Sequence, residues 1–190
     1  MNLNKKDPIV LFGTSADPPT LGHKKILEEL SKIYSLIITY ASDNPNKEHK
    51  ENISIRSLLL KTLIEDLDNS KIIFDQKISS QWAIESINKC KKIYKTTNII
   101  FVLGSDLISE VSSWKDFDQI IKKVSFFIIE RDGYPVESST LEMLENFKVN
   151  FEISTLNIPN ISSSMVREKP NYSYLPKSLI DLVKKNNLYF

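Results

Sequence analysis

One cysteine, Cys90, among 190 residues leaves nothing for an intramolecular disulfide framework. With only two histidines, His23 and His49, a dedicated structural zinc site has too few ligands. Neither sign of charge dominates. The 25 Lys and Arg face 24 Asp and Glu, spread along the chain, and the net charge of +1 gives no broad basic surface for a nucleic acid or a membrane. No apolar run approaches the roughly 20 residues of a membrane span. Residues 1–7 are polar and lack the apolar centre of a signal peptide. There is no repeat, low-complexity tract or linker, and no Ser-His-Asp or Cys-His arrangement points to a covalent nucleophile. These absences predict a cytoplasmic protein in a reducing compartment, with no nucleic-acid or membrane partner and with an oligomer left open. A 41% hydrophobic content over this length suffices for one core, so residues 1–190 are expected to form a single domain.

What is present begins with residues 9–23. An apolar run of strand type, Ile9 to Phe12, passes through a turn marked by Gly13 and Pro18-Pro19. It continues as an amphipathic helix carrying Ile26, Leu27, Leu30 and Ile33. Thr20 reads as the N-cap, which places His23 in the first turn beside free backbone N–H groups, a setting suited to a phosphate. Strand and helix signals then alternate: strand 36–40, polar loop 42–47, helix 54–67, strand 72–74, helix 82–94, strand 99–103, a helical stretch over 114–121, strand 125–129, strand 151–156 and helix 176–186. Residues 136–150 read as either a helix or an irregular excursion. The run 99–103 is apolar throughout, as in a central strand buried on both faces. Ser162, Ser163 and Ser164 offer cap hydroxyls to a short helix, and Arg167 follows on the same face, giving a second anion site. The alternation predicts an α/β fold, a mostly parallel sheet with helices on both faces. The loops after Phe12, Tyr40, Leu103 and Leu156 should meet in one cleft at the carboxyl ends of the strands.

These stretches resemble a known family. GTSADPPTLGH (residues 13–23) resembles the T/H-x-G-H signature of the nucleotidyltransferase superfamily, and ISSSMVR (161–167) its second signature of ISSTxIR type. FVLGSDLISEVSSW (101–114) is similar to the GxD…W region of bacterial nicotinate-nucleotide adenylyltransferases. SDNPNKEHK (42–50) is similar to their NPxK-type substrate loop, and PKSLIDLVKKNNLY to their C-terminal stretch. The resemblance implies a Rossmann-like nucleotidyltransferase fold. It also implies transfer of AMP from ATP to nicotinate mononucleotide, giving nicotinate adenine dinucleotide and pyrophosphate in NAD biosynthesis. Mg²⁺ would arrive on ATP with no metal cage from the protein.

Within the resemblance His23 and Arg167 are the catalytic pair, one at the α-phosphate and the other at the β and γ phosphates. Gly13, Thr14, Ser15, Thr20 and Gly22 of the first loop bind ATP. Gly104 and Asp106 do so after the central strand, with Asp106 accepting from a ribose, and Ser163 and Ser164 in the second signature. Lys47, Trp82, Ala83 and Trp114 form the pyridine-nucleotide side, Trp114 stacking on the ring. Elementary chemistry agrees, because a phosphate is already a competent nucleophile and needs mainly alignment and charge stabilisation.

Three positions depart from the family's GGTFDPxHxGH loop: Thr14 replaces the second Gly, Ala16 the Phe and Thr20 the first His. Gln81 to Ser86 stands where the family has SYTIDT, so Ala83 lacks a hydroxyl near the nicotinate carboxylate and backbone N–H groups would bind it instead. The rival readings are a nicotinamide-mononucleotide or phosphopantetheine adenylyltransferase, and a nucleotide-binding sensor without turnover.

Overall fold

The structure is a computed structural model that describes residues 7–45, 47–169 and 171–189. Residues 1–6 of the polar N-terminal stretch and Asn46 of the 42–47 loop lie outside the described residues. β1 (Ile9–Thr14) leads through the first loop into α1 (Leu21–Ile33), followed by β2 (Ile37–Ala41), α2 (Ile53–Leu67), β3 (Ile72–Phe74) and α3 (Ala83–Tyr94). The second half continues with β4 (Ile99–Gly104), α4 (Ser105–Ile108), α5 (Phe117–Ile120), β5 (Ser125–Ile129) and α6 (Ser138–Asn146). It closes with β6 (Phe151–Ile153), α7 (Ser163–Glu168) and α8 (Lys177–Lys185).

The six strands form one sheet in the order β3-β2-β1-β4-β5-β6, and each neighbouring pair is parallel. Period-two alternation explains why this sheet has two cores. Ile9 and Leu11 of β1 join one buried cluster with Ile84 and Ile87 of α3, Ile120 of α5 and Leu144 of α6. Val10 and Phe12 point the other way, into Leu27 and Leu30 of α1, Leu59 and Leu63 of α2, and Leu179 and Val183 of α8. Chain order reverses between β1 and β4, so the carboxyl ends of these two central strands open the crevice in which ligands of such sheets bind. This is the Rossmann-like arrangement expected from the sequence.

Two segments differ from expectation, and a third, left open between helix and irregular chain, takes the first alternative. Residues 138–146 of the ambiguous stretch are helical. The last strand stops at Ile153, because the Ser154 hydroxyl accepts the Leu156 N–H at 3.0 Å and turns the chain out of the sheet. Trp114 is not helical. It closes a 3₁₀ turn at Val111–Ser113, and Asp116, with φ of 57°, adopts the left-handed conformation that separates this turn from α5.

Candidate active site

The loops after β1, β2, β4, β5 and β6 surround a cavity of about 590 Å³. Gly13, Thr14, Ser15, Gly22 and His23 line it from the first loop and α1, and Gly104 and Asp106 from the end of β4. Ser163, Ser164 and Arg167 close it from α7, and Lys47, Trp82, Ala83 and Trp114 from the far side. Thr20 is the exception.

Thr20 is fully buried and does not reach the cavity, which corrects the expectation that it binds ATP. Its hydroxyl points at the Ile161 carbonyl at 3.3 Å and lies 2.9 Å from His23 Nδ1. Its backbone N–H donates to His23 Nδ1 at 3.1 Å. That bond makes Nδ1 the acceptor, so in the neutral ring the proton sits on Nε2, which donates to Thr14 Oγ1 at 3.0 Å. Desolvation, with the Arg131 guanidinium nearby, pushes the His23 pKa down to about 3. The imidazole is therefore a neutral N–H donor aimed into the site, held by the cap residue that the sequence offered as a ligand.

The second signature is bolted onto the first. The Ser163 hydroxyl donates to the Pro18 carbonyl at 2.8 Å, and Arg167 Nη1 donates to the Asp17 carbonyl, 150 positions away, at 2.6 Å. Arg167 Nη2 donates to Ser164 Oγ at 3.1 Å, so the Arg and the serines share a face as their spacing predicts. Ser162 caps α7 by accepting the Met165 N–H at 3.2 Å. A Cβ on Gly22 would stand 2.7 Å from the Ile161 carbonyl, so only glycine allows the two segments to approach this closely. Gly13 has a similar constraint. Its missing Cβ leaves room for the Tyr40 ring, whose hydroxyl would lie 2.6 Å away.

On the β4 side, Asp106 Oδ2 accepts from Arg131 Nη1 at 2.9 Å. Its Oδ1 is buried and has no partner among the described residues. Glycine at 104 is again required, because a Cβ there would collide with Asp106 Oδ1 and the Arg131 stem. An unpaired carboxylate oxygen at the edge of a cavity is an unused hydrogen-bond acceptor. Trp114 is half-buried and meets Phe101 edge-on, with centroids 6.3 Å apart at 81°. Trp82 is the N-cap of α3. Lys47 is exposed at the rim.

The profile of the family described as cytidylyltransferase-like matches residues 11–169. A protein of Aliarcobacter butzleri named "Probable nicotinate-nucleotide adenylyltransferase" is 32% identical over 94% of this chain and 99% of its own length. This chain belongs to the nicotinate-nucleotide adenylyltransferase family. A Synechocystis protein of the same name is 28% identical, covering 95% of this chain and 98% of its own. The solved structure of Plasmodium falciparum nicotinic acid mononucleotide adenylyltransferase complexed with NaAD has a TM-score of 0.78 and is 25% identical, covering 96% of this chain and 97% of that one.

Within this adenylyltransferase fold, Arg131 and His49 are charged or titratable cavity residues absent from the candidate site drawn from the sequence. Arg131 reaches the site from the end of β5, its N–H donating to Ser105 Oγ at 2.9 Å. The signal was its place directly after an apolar strand of a parallel sheet. His49 lines the cavity with Nε2 buried and without a partner among the described residues. Burial and the nearby Arg56 lower its pKa.

Behind the site, Arg56 is 1% exposed and donates to the carbonyls of Ser15, Ser42 and Glu51 at 2.7–3.0 Å. Asp17 is buried and accepts from the N–H groups of Lys50 and Glu51 and from the Tyr189 hydroxyl. Cys90 is buried with its pKa pushed up to about 12 by desolvation and by Asp75, which leaves it without nucleophilic chemistry. Among the described residues no group of three or more His, Cys, Asp or Glu gathers to hold a metal, and no helix is long and apolar enough to cross a membrane.

Proposed function

We propose that this protein joins ATP to nicotinate mononucleotide, releasing pyrophosphate and forming nicotinate adenine dinucleotide for NAD biosynthesis. The observation that supports this reading most is the joining of two distant loops. The Arg167–Asp17 and Ser163–Pro18 bonds carry Arg167 and His23 onto one cavity that also holds Trp114 and Asp106. An oxygen of the mononucleotide 5′-phosphate attacks the α-phosphorus of ATP. The bond from that phosphorus to the bridging oxygen breaks, and the electron pair leaves with pyrophosphate.

The nucleophile is already anionic, so no residue has to remove a proton. His23 donates its Nε2 proton to a non-bridging oxygen of the α-phosphate, where negative charge grows. A neutral donor does this without the reorganisation that water would need. Arg167 meets the β and γ phosphates with its planar fork, and Asp106 Oδ1 accepts from a ribose hydroxyl. Lys47 and His49, on the loop after β2, face the phosphate of the mononucleotide, and Trp114 packs against its ring. His49 supplies the second imidazole that Thr20 does not.

A divalent cation such as Mg²⁺ would come with ATP and neutralise phosphate charge, since no group of three or more His, Cys, Asp or Glu gathers to hold one among the described residues. The carboxylate beside the phosphate loop, Asp17, is already saturated by Lys50, Glu51 and Tyr189. One nucleotidyltransferase domain over residues 1–190 and a cytoplasmic location belong to the same reading. The test is pyrophosphate release from Mg·ATP with nicotinate mononucleotide, nicotinamide mononucleotide or phosphopantetheine as acceptor. Fastest turnover with nicotinate mononucleotide supports the reading. Release with phosphopantetheine alone, or ATP binding without release, overturns it.

A further inference from the structure

The two pyridine mononucleotides differ by one charge, a carboxylate on nicotinate against a neutral carboxamide, so a site that chooses between them needs a group that senses charge. The side chains of Trp82, Ala83 and Trp114 carry neither a hydroxyl nor a charge. The hydroxyls near them belong to Ser80, Ser86 and Ser113, which are neutral; Ser86 is bonded to Tyr40, and Ser113 donates to the Glu110 carbonyl at 2.7 Å. The cation in contact with this wall is Lys115. It lines the same cavity, and its ammonium stands 5.2 Å from the centroid of the Trp82 ring. The ring's negative face holds it there. On its other side lies Glu85 in the first turn of α3, with Nζ to Oε1 at 3.4 Å and both side chains close to half exposed. Glu85 does not line the cavity.

We infer that Lys115 sets this site's preference for a pyridine mononucleotide bearing a carboxylate over one bearing a carboxamide, with Glu85 as the countercharge that the substrate displaces. The inference rests on the adenylyl-transfer reading above. The ammonium is held against an aromatic face rather than in a closed ion pair, so it can turn from Glu85 to a carboxylate without leaving Trp82. A carboxamide brings no charge to replace Glu85 and gains nothing from the exchange. The long 3.4 Å contact between two half-exposed groups is weak, so giving it up costs little.

The test is kcat and KM for both mononucleotides in the wild type and in Lys115→Ala, Lys115→Arg and Glu85→Gln. Lys115→Ala is expected to shrink the ratio of kcat/KM for nicotinate over nicotinamide mononucleotide by about tenfold, the low end of what a charge-assisted hydrogen bond contributes. The change should fall on the KM for nicotinate mononucleotide rather than on kcat. Lys115→Arg should keep most of the ratio, and Glu85→Gln should lower the KM for nicotinate mononucleotide. If Lys115→Ala slows both substrates equally, Lys115 only props Trp82, and the inference fails. An unchanged ratio in an active Lys115→Ala enzyme overturns it as well. Release with neither pyridine mononucleotide in the wild type overturns the adenylyl-transfer reading and this inference with it, whereas an unchanged ratio strikes this inference alone.

Discussion

His23 faces the cavity with its proton already placed. The Thr20 N–H occupies Nδ1, so the remaining proton is on Nε2 and faces the cavity, with Thr14 Oγ1 holding it meanwhile. Replacing His23 by Ala should lower kcat by about 10²–10³-fold while KM for ATP changes little, as for loss of a donor used in the transition state. Steady-state kinetics decide it, and an unchanged kcat removes His23 from the chemistry. The pH dependence has a definite sign. Folding depresses the pKa from 6.5 to about 3, so between these values the unfolded chain binds the proton and the folded chain does not. This contribution to stability is whole above pH 6.5 and is lost as the pH falls toward 3, by up to about 1.4 kcal/mol per pH unit. Urea midpoints between pH 7 and 5 should therefore fall more steeply in the wild type than in His23→Gln. The sequence marked His23 as a candidate phosphate donor at the start of a helix. It could not show the service of Thr20 to His23, because a cap hydroxyl and a ligand hydroxyl look alike until the Ile161 carbonyl is placed beside them.

At the level of elements, the site is a joint between the N-terminus of α1 and the segment before α7. Gly22 is the point of closest approach. Gly22→Ala should push Ile161 and its neighbours away, shift Arg167 from Asp17, and lower kcat/KM by about 100-fold, the scale of a misplacement near 1 Å. Its thermal unfolding should change far less than its activity, and a variant that loses both together would show the joint to be merely structural. The strands that build this joint were readable because their patterns are local. β1 alternates between two buried faces, and the run at β4 is apolar throughout. Arg131 was not readable as a site residue, because it reaches the cavity only through the pairing of β5 with β4, and His49, although its loop was expected in the cleft, has nothing local to show that its Nε2 is buried. Asp116 hid the break before α5 in the same way, since nothing nearby in the sequence marks its left-handed conformation.

At the scale of the molecule, Arg56 ties the loop after β1 to both ends of the loop after β2 through three carbonyls, those of Ser15, Ser42 and Glu51. Arg56→Ala strands those acceptors, and a loss of about 3 kcal/mol follows from leaving buried carbonyls unpaired. For a chain of this length that is about 6–12 °C in Tm by calorimetry. Arg56→Lys should recover little, because a single ammonium cannot reproduce the planar fork. An Arg56→Ala protein with wild-type Tm would show the strut to be dispensable. Tyr189 completes the same support from the far end of the sequence. Its buried hydroxyl, held protonated by desolvation and by Asp17, anchors the carboxylate that receives the N–H groups of Lys50 and Glu51. Synthesis on the ribosome runs from the first loop toward this tyrosine. A growing chain can pair all six strands once Ile153 has emerged, yet it then has neither Arg167 to face a triphosphate nor a phenol under Asp17. Nascent chains stalled short of residue 189 therefore present an assembled sheet with a slack first loop. The support under Asp17 is therefore completed only after the strands that form the sheet have been made.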